Sequence, residues 1–185
     1  MRPARTLFAE HEAGTATFSS DRQYRYTLTR SWGGSRRLVV IGLNPSTADE
    51  AKLDPTIRRV IGFARRDGFG AIDMLNLFAW RSTSPDVLNQ LGDDAIGPDN
   101  DEHIVRVATQ LHVGAVVAAW GSHPAARQRG VAVAELLLRH GIALRCWGTT
   151  RSGAPRHPLY LSAAAPLLPW RPEVDAIEGA EGGLS

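Results

Sequence analysis

A single cysteine, Cys146, stands in a chain of 185 residues. It excludes an intramolecular disulfide framework, a four-cysteine zinc site and a cysteine-ligated iron–sulfur cluster within one chain, and it fits a reducing compartment. No apolar run is long enough for a signal peptide or a membrane span, so a cytoplasmic protein without a membrane partner is expected. The six histidines, His11, His103, His112, His123, His140 and His157, show neither HxH nor HExxH spacing, which excludes the usual zinc motifs. No metal and no cofactor is expected. The patterns GxxxxGK(S/T), GxGxxG after the first buried strand and GxSxG are missing too, and with them the P-loop, dinucleotide-fold and α/β-hydrolase classes.

Lysine is nearly absent: Lys52 is the one lysine among 21 basic residues, so the other twenty are arginines. That pattern is what GC-rich coding produces, and it is also what phosphate binding uses when guanidinium forks cluster in space. The net charge of +2 is too small to argue for a nucleic acid by itself. Hydrophobic and charged fractions of 43% and 22% are those of a globular domain, and the length is enough for one proper core.

The chain divides into an arm at 1–14, one α/β domain at 15–172 and a flexible acidic, glycine-rich tail at 173–185. Tyr24, Tyr26 and Leu28 alternate with Arg25, Thr27 and Thr29, the period of a half-buried strand. Gly33-Gly34-Ser35 reads as the turn of an antiparallel hairpin leading into Leu38–Leu43. Asp54 caps a helix from Pro55 to Arg66, where Ile57, Val60, Ile61 and Ala64 share a face. Three more buried strands are expected at Ala71–Phe78, Ala115–Trp120 and Ile142–Trp147. Between them lie a short helix after a capping Ser84, and a helix capped by Asp99 or Asn100 that buries Ile104, Val107, Ala108 and Leu111. Another runs from Pro124 to His140 and is weakened by Gly130. Strand–helix alternation of this kind gives a parallel sheet with right-handed crossovers. The expected fold is a three-layer α/β sandwich with a central four-stranded parallel sheet flanked by helices, preceded by a β-hairpin.

In such a sheet the C-terminal strand ends share one edge, where ligands bind. That edge collects Asn44, Asn76, Gly121-Ser122-His123 and the segment from Gly153 to Leu161. Asn44, ahead of Pro45, is either a turn residue tying down its own loop or a ligand contact. Asn76 interrupts an apolar run, so its amide either bonds a neighbouring loop or reads a ligand. His157, stiffened between Pro155 and Pro158, is a structural loop histidine or a functional one held in one orientation. Arg156 touches phosphate or caps carbonyls. Asp49, Glu50 and Asp54 are candidates for a base or a metal cluster, but a solvated acidic loop with Asp54 as a helix cap is the plainer reading. Ser46 and Ser122 lack a triad and read as turn residues.

Two resemblances bear on these residues. Across almost the whole folded chain, the segments LNPSTAD, DPTIRR, NLFAWR, the WG after the third strand and PRHPLYL resemble an uncharacterised family of mainly bacterial and phage proteins. More distantly, Gly42-Leu43-Asn44-Pro45-Ser46 is similar to the first active-site motif of the uracil-DNA glycosylase superfamily, and His157-Pro158 to its second. Asn76 resembles that superfamily's base-reading asparagine. The resemblance implies a glycosylase that flips a nucleotide out of DNA into a cavity, with no cofactor. Asn44 would position the attacking water, and His157 would stabilise the leaving base. Gly42, Leu43, Pro45, Ser46 and Asn76 would line the base site, and Phe78 or Trp80 would stack on the base. Arg156, Pro158, Leu159 and Tyr160 would contact nucleic acid. Against the superfamily pattern, the loop from Ser46 to Asp54 holds no stacking aromatic, and Leu159-Tyr160 reads equally as a strand packed on the sheet. A binding module that grips a nucleotide or nucleic acid end without hydrolysis, and a hydrolase of free nucleosides or nucleotides, are the alternatives. The sequence sets no oligomeric state.

Overall fold

A computed structural model describes residues 13–46 and 54–172. Its elements in chain order are β1 (Ala13–Phe18), β2 (Arg25–Ser31), β3 (Arg37–Gly42), α1 (Pro55–Arg66), β4 (Ala71–Asn76), α2 (Val87–Leu91), α3 (Asn100–Ala108), β5 (Val113–Ala118), α4 (Ala126–Arg139), β6 (Leu144–Cys146) and β7 (Leu168–Pro169). Of the expected arm, residues 13 and 14 belong to β1 and the rest lies outside the described residues, as do the expected tail and the acidic pair Asp49 and Glu50.

The fold is α/β, but its sheet is mixed and seven-stranded, in the order β1-β2-β4-β3-β5-β6-β7. β3 pairs in parallel with β4 and β5, and β5 with β6. Antiparallel partners extend this middle at both ends: β2 on β4, β1 on β2, and β7 on β6. The expected four-stranded parallel sheet preceded by a hairpin falls short of this because β1 and β7 carry little apolar signal. Both residues of β7 are exposed, and β1 is an edge strand with much of its surface open.

An N-terminal hairpin is present, formed by β1 and β2, but Gly33-Gly34-Ser35 is not its turn. β2 does not turn back onto β3. It pairs with β4, Ser31 opposite Ala71, so the chain crosses over the start of β4 before entering β3. Glycine makes that crossing possible. A Cβ on Gly70 would sit 1.7 Å from the Gly33 carbonyl oxygen, and Gly33 and Gly34 adopt φ of 117° and 91°. Nor is β2 half-exposed, since Arg25, Thr27 and Arg30 are buried alongside Tyr26 and Leu28.

Alternation along the central strands divides the core in two. Leu38 and Val40 of β3 join Ile57, Val60, Ile61 and Phe63 of α1. Val39 and Ile41 join Ile104 of α3 and Val133 and Leu137 of α4. Helix α1 begins where the sequence says: the Asp54 carboxylate accepts the Ile57 N–H at 2.8 Å, with Pro55 in the first turn. The caps of α2 and α3 differ from expectation. Ser84 gives its N–H to the Ser82 hydroxyl and caps nothing. Asp99 makes no side-chain cap, and the fully buried Asn100 spends its amide on the carbonyls of Asn76 and Leu77, both at 3.0 Å. Because α3 ends at Ala108, Leu111 lies beyond it and is 97% exposed. Gly130 makes room in α4 for Trp120, whose Cζ2 would lie 3.0 Å from a Cβ there.

Candidate functional site

The chain leaves β3 toward β4 on one side and leaves β5 toward β6 on the other, which makes the gap between β3 and β5 the switch point of the sheet. A cavity of about 480 Å³ opens there, at the C-terminal strand ends. It brings together Gly42 at the end of β3, Leu43, Asn44 and Ser46 after it, Asn76 at the end of β4, and His157, Pro158 and Tyr160 from the segment after β6. Those pieces come from stretches far apart in sequence, and the parallel register aligns them: Gly42 lies opposite Asn76.

Asn76 is 5% exposed, and its Nδ2 makes no hydrogen bond among the described residues. Its backbone is fixed by the Asn100 amide, and its Oδ1 would lie 2.9 Å from a Cβ on Gly42, so glycine is needed there for the amide to pass. Asn44 uses its NH₂ on the Ser82 carbonyl at 3.0 Å and on the Pro45 carbonyl at 3.4 Å, which orients its Oδ1 as the group left for a ligand.

His157 precedes a single 3-10 turn, Pro158–Tyr160, rather than the strand that Leu159-Tyr160 suggested. Its Nδ1 accepts the Leu159 N–H at 3.4 Å, so the neutral ring carries its proton on Nε2. Burial pushes the His157 imidazole below its ordinary value, and the Asp54 charge pulls the other way. The turn is held from α1: Arg59 donates to the Leu161 carbonyl, and Arg66 to the Ala163 carbonyl at 2.6 Å. The DPTIRR segment thereby anchors the PRHPLYL segment.

Five expected site residues do not line the cavity. Pro45 is buried behind it, its carbonyl accepting the Ser82 N–H at 3.0 Å. Phe78 is in the core on the α3 and α4 side, and Trp80 packs against that core with its ring edge on Tyr24, 5.4 Å between centroids. Neither ring faces the cavity; the aromatics that line it are Trp120 and Tyr160. Arg156 is exposed and gives its N–H to the Gly148 carbonyl, and Leu159 is exposed beside the turn.

Three ionisable lining residues, Arg25, Asp54 and His123, have no role in the site as expected from sequence, although the sequence places His123 at this edge and admits Asp54 as a base. Arg25 is 3% exposed at the start of β2. Burial lowers its guanidinium to about 10, with Asp54 opposing that fall and Arg81 and Arg30 adding to it, so it stays charged at neutral pH. Strand alternation assigned Arg25 to solvent, and no local signal marks it otherwise. Asp54 faces the cavity while capping α1; one oxygen takes the Ile57 N–H and the other the Ser46 hydroxyl at 3.0 Å. His123 completes the wall after β5, its Nδ1 accepting the Ala125 N–H. A second cavity, about 310 Å³, lies on the far side of that wall and shares Trp120 through His123 with the first. Among the described residues no group of three or more His, Cys, Asp or Glu is placed to hold a metal ion, and no helix is long and apolar enough to cross a membrane.

A family model described as "Protein of unknown function (DUF1643)" matches residues 25–159. The chain belongs to that family. The DUF1643 segment opens at Arg25 and closes at Leu159, so it contains every residue lining the main cavity except Tyr160. Comparison with curated proteins and with solved structures returned no match.

Proposed function

We propose that the main cavity receives a nucleobase and that this DUF1643 protein is an N-glycosidase, hydrolysing the bond between deoxyribose and a damaged or modified base in DNA in the manner of the uracil-DNA glycosylase superfamily. One observation carries the reading. The buried Asn76 Nδ2 lacks a partner among the described residues and borders the same cavity as Asn44 and His157. Buried amide donors are ordinarily satisfied, and one left open in a cavity marks the place of a ligand acceptor. A base carbonyl next to a ring N–H would meet both ends of the Asn76 amide.

The chemistry then follows from the groups present. The glycosidic bond breaks with its electron pair passing to the base, leaving an oxocarbenium-like sugar. His157 donates through Nε2–H to a base oxygen as negative charge develops there, the preorganised stabilisation of an oxyanion hole. Asn44 Oδ1, its amide pinned by the Ser82 carbonyl, orients the water that adds to the anomeric carbon, and the water's proton goes to solvent. The Tyr160 ring, 5.7 Å from the His157 ring, is the exposed aromatic placed to lie on the base.

A second reading, a binding module that grips the base without hydrolysis, is favoured by the state of Asp54. Both its oxygens are occupied, so the cavity's carboxylate is not a free base. One experiment separates the two. The protein is incubated with duplexes carrying a panel of modified bases, and abasic sites are counted. Cleavage by wild type that falls about a hundredfold or more in His157→Ala and Asn44→Ala supports the glycosidase. Tight binding of one base without abasic sites selects the binding module, and equal cleavage by all three proteins removes the assigned roles.

A further inference from the structure

Two arginines lie beside the main cavity without lining it, where the β1–β2 loop meets the segment after β4. Arg22 is three residues before the lining Arg25, and Arg81, next to the lining Ser82, gives its N–H to the Gln23 carbonyl. Arg22 sits in that loop at φ 58°, the non-glycine residue with positive φ among those described. Side chains avoid this conformation, and here it lays the exposed guanidinium 4.0 Å from the Phe18 ring centroid. The Arg81 guanidinium lies 5.0 Å from the same centroid, and its Nη1 donates to the Arg22 carbonyl at 3.1 Å. Two like charges are thus fixed on one aromatic ring, an arrangement that cation–π attraction supports and mutual repulsion opposes. Neither forms an ion pair among the described residues, unlike Arg37 with Asp73, Arg66 with Asp67 and Arg129 with Asp101. The neighbouring carboxylate, Asp21, already accepts the Ser19 hydroxyl and the Gln23 N–H on one oxygen. The buried Arg81 Nε has no partner among the described residues. The next residue along, Ser82, lines the cavity and pins Asn44.

We infer that Arg22 and Arg81, held on Phe18, form a phosphate clamp for the DNA strand whose base enters the cavity. The clamp supplies the sequence-independent grip that the base site lacks, since phosphate contacts position a strand while the cavity reads the base. It deepens the glycosidase reading by fixing the substrate as a strand rather than a free nucleoside, and it rests on that reading for the identity of the base site. A planar guanidinium pair matches phosphodiester oxygens.

The test uses the full chain and a fluorescent oligonucleotide with no modified base, single-stranded and as a duplex, with binding followed by anisotropy over a range of salt. Wild type is expected to bind with an affinity that falls steeply with salt. Arg22→Gly removes the guanidinium and suits the positive φ, so its thermal midpoint should hold or rise while affinity falls several-fold and the salt slope shrinks by about one. Arg81→Gln should act in the same direction, and Arg22→Lys, which keeps the charge but not the planar stacked fork, should fall between wild type and Arg22→Gly. Wild-type affinity and slope in Arg22→Gly overturn the clamp. So does a protein that ignores oligonucleotides yet binds a nucleoside 5′-monophosphate through Arg22, because the phosphate source is then a mononucleotide. The glycosidase reading fails separately: Arg22-dependent oligonucleotide binding without abasic sites on any modified base keeps the clamp and loses the hydrolase.

Discussion

Asn76 and His157 show how much a single side chain is asked to do here. The Asn76 Nδ2 gains nothing from the described protein residues, so Asn76→Ala is expected to cost about 1 kcal/mol or less in urea unfolding while removing most binding of the preferred base. A large loss of stability would instead mark the amide as structural. His157 gives a prediction in pH. Burial holds its folded value below the unfolded 6.5, as it does for His103 beneath the Tyr26 ring. Such a group binds its proton more readily when unfolded. Its contribution to stability is therefore complete above pH 6.5 and is lost as pH falls through that value toward the folded one. Urea midpoints measured at about pH 7 and about pH 5 should diverge less in His157→Asn than in wild type, with the remaining slope shared by His103. At this scale Asn44, Asn76 and His157 were legible because each sits at a strand end or between prolines. Arg25 was not. Alternation along β2 assigns it to solvent, and only the long-range placement of α1 and the loop after β4 puts it in the cavity.

Secondary elements explain the glycines and the arginines. In an open helix Gly130→Ala would stabilise by about 1 kcal/mol. Here the added methyl meets the Trp120 indole at 3.0 Å, so the change should cost about 1–3 kcal/mol in chemical unfolding. It would also press on the wall that Trp120 shares with both cavities. Gly70→Ala is the harsher case, with a contact of 1.7 Å to backbone, and a loss of about 3 kcal/mol or more is expected. The Gly33-Gly34 turn was visible in the sequence, but what it crosses was not, because strand order is a property of pairs and not of segments. Arg59 does for the His157 turn what Asn100 does for Asn76, holding a carbonyl from a neighbouring helix. Arg59→Met should raise amide exchange across the turn at residues 159–161 and weaken the proposed base binding without touching the base.

The molecule as a whole is a parallel centre with antiparallel margins. Helix α1, the four central strands and their glycine turns could be read from apolar periodicity, whereas β7 and the β2–β4 pairing could not, since two exposed residues and a crossover leave no periodic trace. Removing residues 1–19 would strip β1 from β2 and leave Arg30 and Thr27 at an open edge. Such a truncation should keep its helical signal and self-associate in size-exclusion chromatography, because an uncovered strand is a template for another chain. The two apolar layers are held together by strands and helices, while nearly every side chain facing the main cavity hangs from a strand end or the loop beyond it. Within these loops, residues that are not buried, such as Ser122, His123 and 151–154, can therefore change chemistry one loop at a time with little disturbance of the interior. A lineage built on this frame can exchange what it recognises in small steps, each tolerated before the next, and a protein engineer can do the same by substituting within one loop per round.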